Sequence, residues 1–142
     1  MSMRDLKFIP GTGEALTFDA VSGFAINPQT NNSSNNSICF AGGFRNQVMT
    51  VVGNGAGGTV IVYGSTQKDP PDFTAPSTID NSYAPIVLAD YSVANTYYAG
   101  ASGVSVTTDT KIVELNTNVL TWVAIHRSAT TVDVKLTESD NL

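Results

Sequence analysis

The sequence predicts an all-β protein, an antiparallel β-sandwich or jelly roll of about eight to ten strands with little or no helix. Three observations lead there. Short runs rich in Val, Ile, Thr and Tyr recur about every ten residues, each ended by Gly, Asn, Pro or Ser. Several runs alternate apolar and polar residues with a period of two, which puts alternate side chains on opposite faces of a strand. No stretch sustains the 3.6-residue period of an amphipathic helix. At 142 residues the chain reads as one domain, 1–142, able to bury roughly 70% of its unfolded surface. Residues 37–137 are the expected core sandwich, and 1–36 an N-terminal arm followed by a polar loop.

Taken in order, the first 26 residues are turn-rich around Pro10-Gly11-Thr12-Gly13, with apolar residues scattered at Leu6, Phe8, Ile9, Leu16 and Phe18. They form either an edge strand or an arm that packs on a neighbouring subunit. Residues 27–37 are Asn, Ser, Thr, Gln and Pro, and read as an exposed loop. The sequons at Asn31, Asn32 and Asn35 belong to that loop and are read as polar loop rather than glycosylation sites. A strand over 38–40 follows, with Cys39 as a small buried hydrophobe. Residues 47–52 and 59–65 are apolar on both faces, the pattern of central strands covered on both sides.

Between them, Gly53-Asn54-Gly55-Ala56-Gly57-Gly58 matches the dinucleotide fingerprint. That chemistry needs a helix next, whose N-terminal amides hold the pyrophosphate. A β-branched run follows instead, so the glycines read as a hairpin turn. Residues 67–82, with Pro70, Pro71 and Pro76, read as a crossover between sheets. The run 83–90 sets Ile86 and Leu88 on one face. Further strands at 103–107, 111–116, 121–127 and 131–137 bring the core residues Val104, Val106, Val113, Leu115, Val123, Ile125, Val132, Val134 and Leu136. In the 121–127 run the other face carries Trp122, Ala124 and His126.

The chain has little reactive chemistry to offer: one His, one Cys and 13% charged residues. A lone Cys forms no intrachain disulfide, and Cys39 has no basic neighbour in sequence to activate it. Zinc at His126 would have to recruit carboxylates only, which is uncommon. Asp72, Asp80, Asp90 and Asp109 lack the spacing of a calcium loop and read as turn caps. No catalytic triad, paired carboxylate or cofactor motif emerges. The expectation is therefore no enzyme, with no catalytic, cofactor or metal residues. The seven basic residues are scattered and the net charge is −5, which argues against nucleic acid as a partner. No signal peptide is expected at the N-terminus, and no membrane-spanning helix anywhere, because about 18 consecutive apolar residues never occur. Trp122 with Tyr63, Tyr83, Tyr91, Tyr97 and Tyr98 suits either core and subunit contacts or a stacking platform for sugars.

Two stretches carry a family resemblance. One is Gly58-Thr59-Val60-Ile61-Val62-Tyr63-Gly64-Ser65, with Pro70-Pro71-Asp72-Phe73 after it; the other is Val113-Glu114-Leu115-Asn116-Thr117-Asn118-Val119-Leu120-Thr121-Trp122-Val123. Together they resemble the small β-sandwich decoration (cement) proteins on the heads of tailed bacteriophages, over residues 47–137. The resemblance implies a structural virion protein without cofactor, made in the host cytoplasm. It implies binding to the major capsid protein on the capsid exterior, commonly as a homotrimer. A carbohydrate-binding β-sandwich module and a tail or baseplate component are the alternatives. For capsid or subunit contacts the expected residues are Arg4, Leu6, Phe8, Ile9, Phe18, Phe24, Trp122 and His126, in the segments least committed to a self-contained core or on the second face of the 121–127 strand.

Overall fold

The computed structural model describes residues 12–26, 46–117 and 119–139. The expected strand 38–40, Cys39, the sequons and the 27–37 loop lie outside them. Ten strands follow in chain order: β1 (Thr12–Ala15), β2 (Asn46–Gly53), β3 (Gly58–Ser65), β4 (Ala84–Pro85), β5 (Leu88–Asp90), β6 (Tyr97–Tyr98), β7 (Val104–Val106), β8 (Thr110–Leu115), β9 (Trp122–Arg127) and β10 (Val132–Ser139). All pairs are antiparallel, and the described residues contain no helix.

The strands make two sheets packed face to face, as a β-sandwich requires. The larger has the order β1-β10-β2-β8-β5-β6. In the smaller, β3 is central, with β9 along one edge and both β7 and β4 along the other. Each sheet turns one apolar face inward. Met49, Val51, Leu88, Val113, Leu115, Val132, Val134 and Leu136 come from the larger sheet, and Val60, Val62, Val104, Val106, Val123 and Ile125 from the smaller. The nine core residues expected from the period-two pattern are all at most 3% exposed.

Residues 12–26 stitch the two sheets together along one side. β1 is an edge strand on β10, with Thr12 opposite Glu138. Phe18 then bridges to Ala25, and the Ala25 and Arg127 amides exchange bonds across to Ile125 and Gly23 at the free edge of β9. Of the two readings left open for this segment, the described part is the edge strand.

Four sequence readings are corrected by the topology. The glycine run is no hairpin, because β2 and β3 lie in different sheets and pair with different partners. It is a tight arch from one sheet to the other, packed against the link from β7 to β8. A Cβ on Gly53 would stand 2.0 Å from the Thr107 carbonyl oxygen, and one on Gly57 (φ +72°) 1.9 Å from that of Val106. Glycine serves both geometries, so the composition alone did not separate them.

The segment 67–82 does not cross between sheets; it returns to the same sheet, where β4 pairs with β3. The crossing comes later, within the run 83–90. That run is split into β4 and β5 on opposite sheets: β4 ends at Pro85, which has no amide to donate and sits on a sheet edge, and the chain passes over through Ile86 and Val87. Finally, β2 is central but, among the described residues, covered on one face only: Gln47, Met49 and Val51 are buried, while Val52 on the other face is 36% exposed.

Ile125 and Leu136 are both fully buried in the core between the sheets, so Ile125→Ala and Leu136→Ala should each cost about 2–5 kcal/mol in urea unfolding. Gly57→Ala should lower the midpoint sharply as well, although its new methyl would fill no core space, because the backbone there must move.

Candidate functional site

The second face of the smaller sheet carries an aromatic layer. β3 supplies Tyr63 and β9 supplies Trp122, Ala124 and His126, on the face opposite Val123 and Ile125. The loop between β3 and β4 lays Phe73 and Tyr83 over them, and Phe24 arrives from the N-terminal stitch. The rings meet tilted or edge-on: Tyr63–Tyr83 at 5.7 Å and 84°, Phe73–Tyr83 at 5.1 Å and 54°, Phe24–His126 at 4.9 Å and 68°. Such geometry sets the positive edge of one ring on the negative face of another.

The loop is held over this layer by its own polar groups. Asn81 accepts from the Asp72 amide and donates to the Asp72 and Pro76 carbonyls, and the Ser65 hydroxyl donates to the Ser82 carbonyl. Trp122 Nε1 donates to the Lys68 carbonyl at 3.2 Å. These aromatics therefore engage one another and their covering loop rather than offering an open platform of parallel faces.

Beside the layer, where the stitch meets β9, lies a cleft of about 200 Å³. Asp19, Ser22, His126, Ser128 and Thr130 are among the residues lining it. Burial pushes the His126 imidazole below its usual pKa, only partly offset by a hydrogen bond with the Ser22 backbone. The Ser22 amide donates to the Asp19 carboxylate at 2.7 Å and, with the Ser22 hydroxyl, lowers its pKa. Arg127, which also borders the cleft, stacks on Phe18 at 4.4 Å and donates to the Val132 carbonyl. Its cation is thereby already engaged within the fold. Among the described residues no three of His, Cys, Asp and Glu come together to hold a metal ion.

A second polar cluster fixes the turn from β5 to β6. Asp90 accepts from the Ser92 and Val93 amides, the Ser92 hydroxyl and the Tyr98 hydroxyl. The Tyr98 bond is the largest cause of an Asp90 pKa held down at about 2, and of a Tyr98 pKa pushed up to about 12. Lys111 lies over the Tyr98 ring at 5.4 Å and donates to the Ser105 carbonyl. Asp72 and Asp109 cap turns in the same way, through the amides of Thr74 and Thr107. Asp80 sits in the exposed turn closed by Thr78 and Asn81. The reading of these loop aspartates as turn caps holds for Asp72, Asp90 and Asp109.

The residues expected to make contacts are placed as follows. Arg4, Leu6, Phe8 and Ile9 lie outside the described residues. Phe18 and Phe24 are buried within the chain at 9% and 7% exposure. Trp122 and His126 are half-buried at the aromatic layer. Sequence reasoning did not bring Phe24, Tyr63, Phe73 and Tyr83 together, since they come from separate elements. The one available signal was the apolar second face of the 121–127 run. Comparison with known protein families, with characterised proteins and with solved structures finds no match to this chain. In the described residues no helix is long and apolar enough to cross a membrane.

Two pH effects follow. The neutral His126 is favoured in the fold, so the unfolded chain takes up the proton first. Stability should be full above about pH 6.5 and fall as the pH drops below it. Thermal midpoints of the wild type and of His126→Gln between pH 7.5 and 5 check this, the slope being lost in the variant. The Asp90–Tyr98 bond should act at both extremes. Its contribution is lost as the pH falls from the ordinary carboxylate range through about 2, and again as the pH rises from the ordinary phenol range through about 12. In Tyr98→Phe the alkaline loss should vanish and Asp90 should titrate closer to its ordinary value, as read by NMR.

Proposed function

We propose that this chain is a structural virion protein, a decoration or cement protein that binds the outside of a tailed-phage head and strengthens it. The observation that carries the reading is how the described polar side chains are used. Asp72, Asp90, Asp109, Asn81 and Arg127 all hold the chain's own turns and edges. What the fold then presents outward is broad strand surface on a rigid two-sheet scaffold. A shell-binding protein works through many weak contacts repeated over a symmetric lattice, and multivalency multiplies their effect without any reactive group.

The resemblance over residues 47–137 supports the particle and the partner: the major capsid protein, on the virion exterior, with the chain itself assembled as a homo-oligomer. The net charge of −5 fits contact with protein rather than with packaged nucleic acid. The carbohydrate-binding alternative has less to stand on, because Tyr63, Phe73 and Tyr83 pack tilted or edge-on against one another.

Purified chain should co-sediment with DNA-free expanded heads of the virus that encodes it, saturating at a fixed number of copies per head. It should also raise the temperature at which those heads break. Heads that neither retain the chain nor gain heat resistance overturn the proposal. Labelling confined to the tail would move the protein to the tail or baseplate, and selective binding on a glycan array would favour the sugar module.

A further inference from the structure

The outer face of the larger sheet has the composition of a covered surface, yet no described strand lies across it. Thr50 of β2 stands at its centre, with Val48 and Val52 before and after it on the same side of the strand. Strand pairing sets Lys135 of β10 beside Thr50 on one flank and Ile112 of β8 on the other. One step along, Glu114 of β8 lies beside Val48, and Ala89 and Tyr97 continue that row to the sheet edge. Tyr91 reaches over β8 and donates to Glu114 at 2.7 Å. Val52, Ile112, Tyr91 and Tyr97 are 36%, 41%, 57% and 66% exposed. A central strand with Val48 and Val52 on its outer face is suited to cover on that side as well, and exposed apolar side chains set among charged ones are the composition of an interaction surface.

We infer that this face is the contact between two copies of the chain, stacked sheet on sheet about a two-fold axis running along β2. The placement of charge selects a second copy over an unrelated partner. Lys135 and Glu114 stand on the two strands that flank β2, one on each side. Rotation about that axis brings β10 of one copy over β8 of the other. Each Lys135 then stands over Ile112 of its partner copy, with Glu114 about 7 Å further along the same strand, a step that long side chains span. The symmetry makes this pairing twice, while Val48, Thr50 and Val52 of the two copies meet along the axis.

The size of the face is consistent with a reversible pair. Roughly 20 Å along the strands and 25 Å across them gives about 1,000 Å² for two copies, the lower edge of specific interfaces. One self-complementary face closes as a dimer, whereas a ring of three needs two different faces. The geometry thus points to a pair where the family resemblance implies a trimer. The inference does not rest on binding to a capsid.

Sedimentation velocity of the full chain over a range of concentration tests it. The expected mass doubles at tens of micromolar and returns to one copy on dilution. Thr50→Arg should give one copy throughout with an unchanged thermal midpoint, because it puts two cations together on the axis and disturbs nothing inside. Lys135→Glu should weaken pairing about tenfold by setting like charges together, and adding Glu114→Lys should restore most of the loss. A single-copy mass at every concentration overturns the inference. So does a dimer or trimer that Thr50→Arg leaves intact, or a double charge swap without recovery.

Discussion

The fold turns on the close approach of the arch at residues 53–58 to the backbone at Val106 and Thr107. β2 ends and β3 begins five residues later in the opposite sheet, and each is a central strand of its own sheet. Such a short link between facing sheets must run hard against whatever closes that end of the sandwich, and here it meets the chain between β7 and β8. Asn54 and Thr131 tie the same corner from the other side, through Asn54 to Asp133 and the Thr131 hydroxyl to the Gly57 carbonyl. Side chains at Gly53 or Gly57 would push against the Thr107 and Val106 backbone at the end of the core where Val106 and Val132 are buried. The inter-sheet core depends on that corner being thin.

The two sheets differ in how their outer faces are covered. The smaller sheet is roofed within the chain by the 66–83 loop, which lays Phe73 and Tyr83 on Tyr63 and is laced by Asn81 and Ser65. The larger sheet has no such roof among the described residues, and it keeps Val52, Ile112 and Tyr97 toward the outside. A fold with one closed face and one open face is directional. Among the described residues one sheet is roofed and the other is not, which suits the attachment proposed above.

Much of this was legible in the sequence because a period of two leaves few choices. Val132, Val134 and Leu136 can share only one face of a strand, and with Asp133 and Lys135 between them that face is inward. The same logic placed Val104 with Val106 and Val113 with Leu115. What the pattern could not supply was pairing. Gly53 and Gly57 suit a hairpin and an inter-sheet arch equally, and only the partners of β2 and β3 decide between them.

The prolines of the 67–82 segment marked irregular chain but not its destination, and Pro85 divided a run whose hydrophobicity looked continuous. For the aromatic layer the information is scattered over Phe24, Tyr63, Phe73, Tyr83 and Trp122, whose sequence separations carry no period. Phe18 and Phe24 looked available because the first 26 residues lack a strand pattern of their own. They are apolar because Phe18 packs into the core between the sheets and Phe24 into the aromatic layer over the smaller sheet.

That seam also sets the order in which the molecule can assemble. β1 pairs with β10, and the Gly23–Ala25 segment bonds to β9, so the earliest described residues find their partners in the last ones. Closing a loop of that length costs entropy before any contact repays it, and folds dominated by distant pairings are slow to form. Until β9 and β10 are in place, Phe18 and Phe24 have nowhere to bury, and the edges of both strands stand open. Among the described residues the fold is therefore closed by pairing residues 12–25 with β9 and β10, and a chain lacking that pairing would leave an edge of each of those strands open.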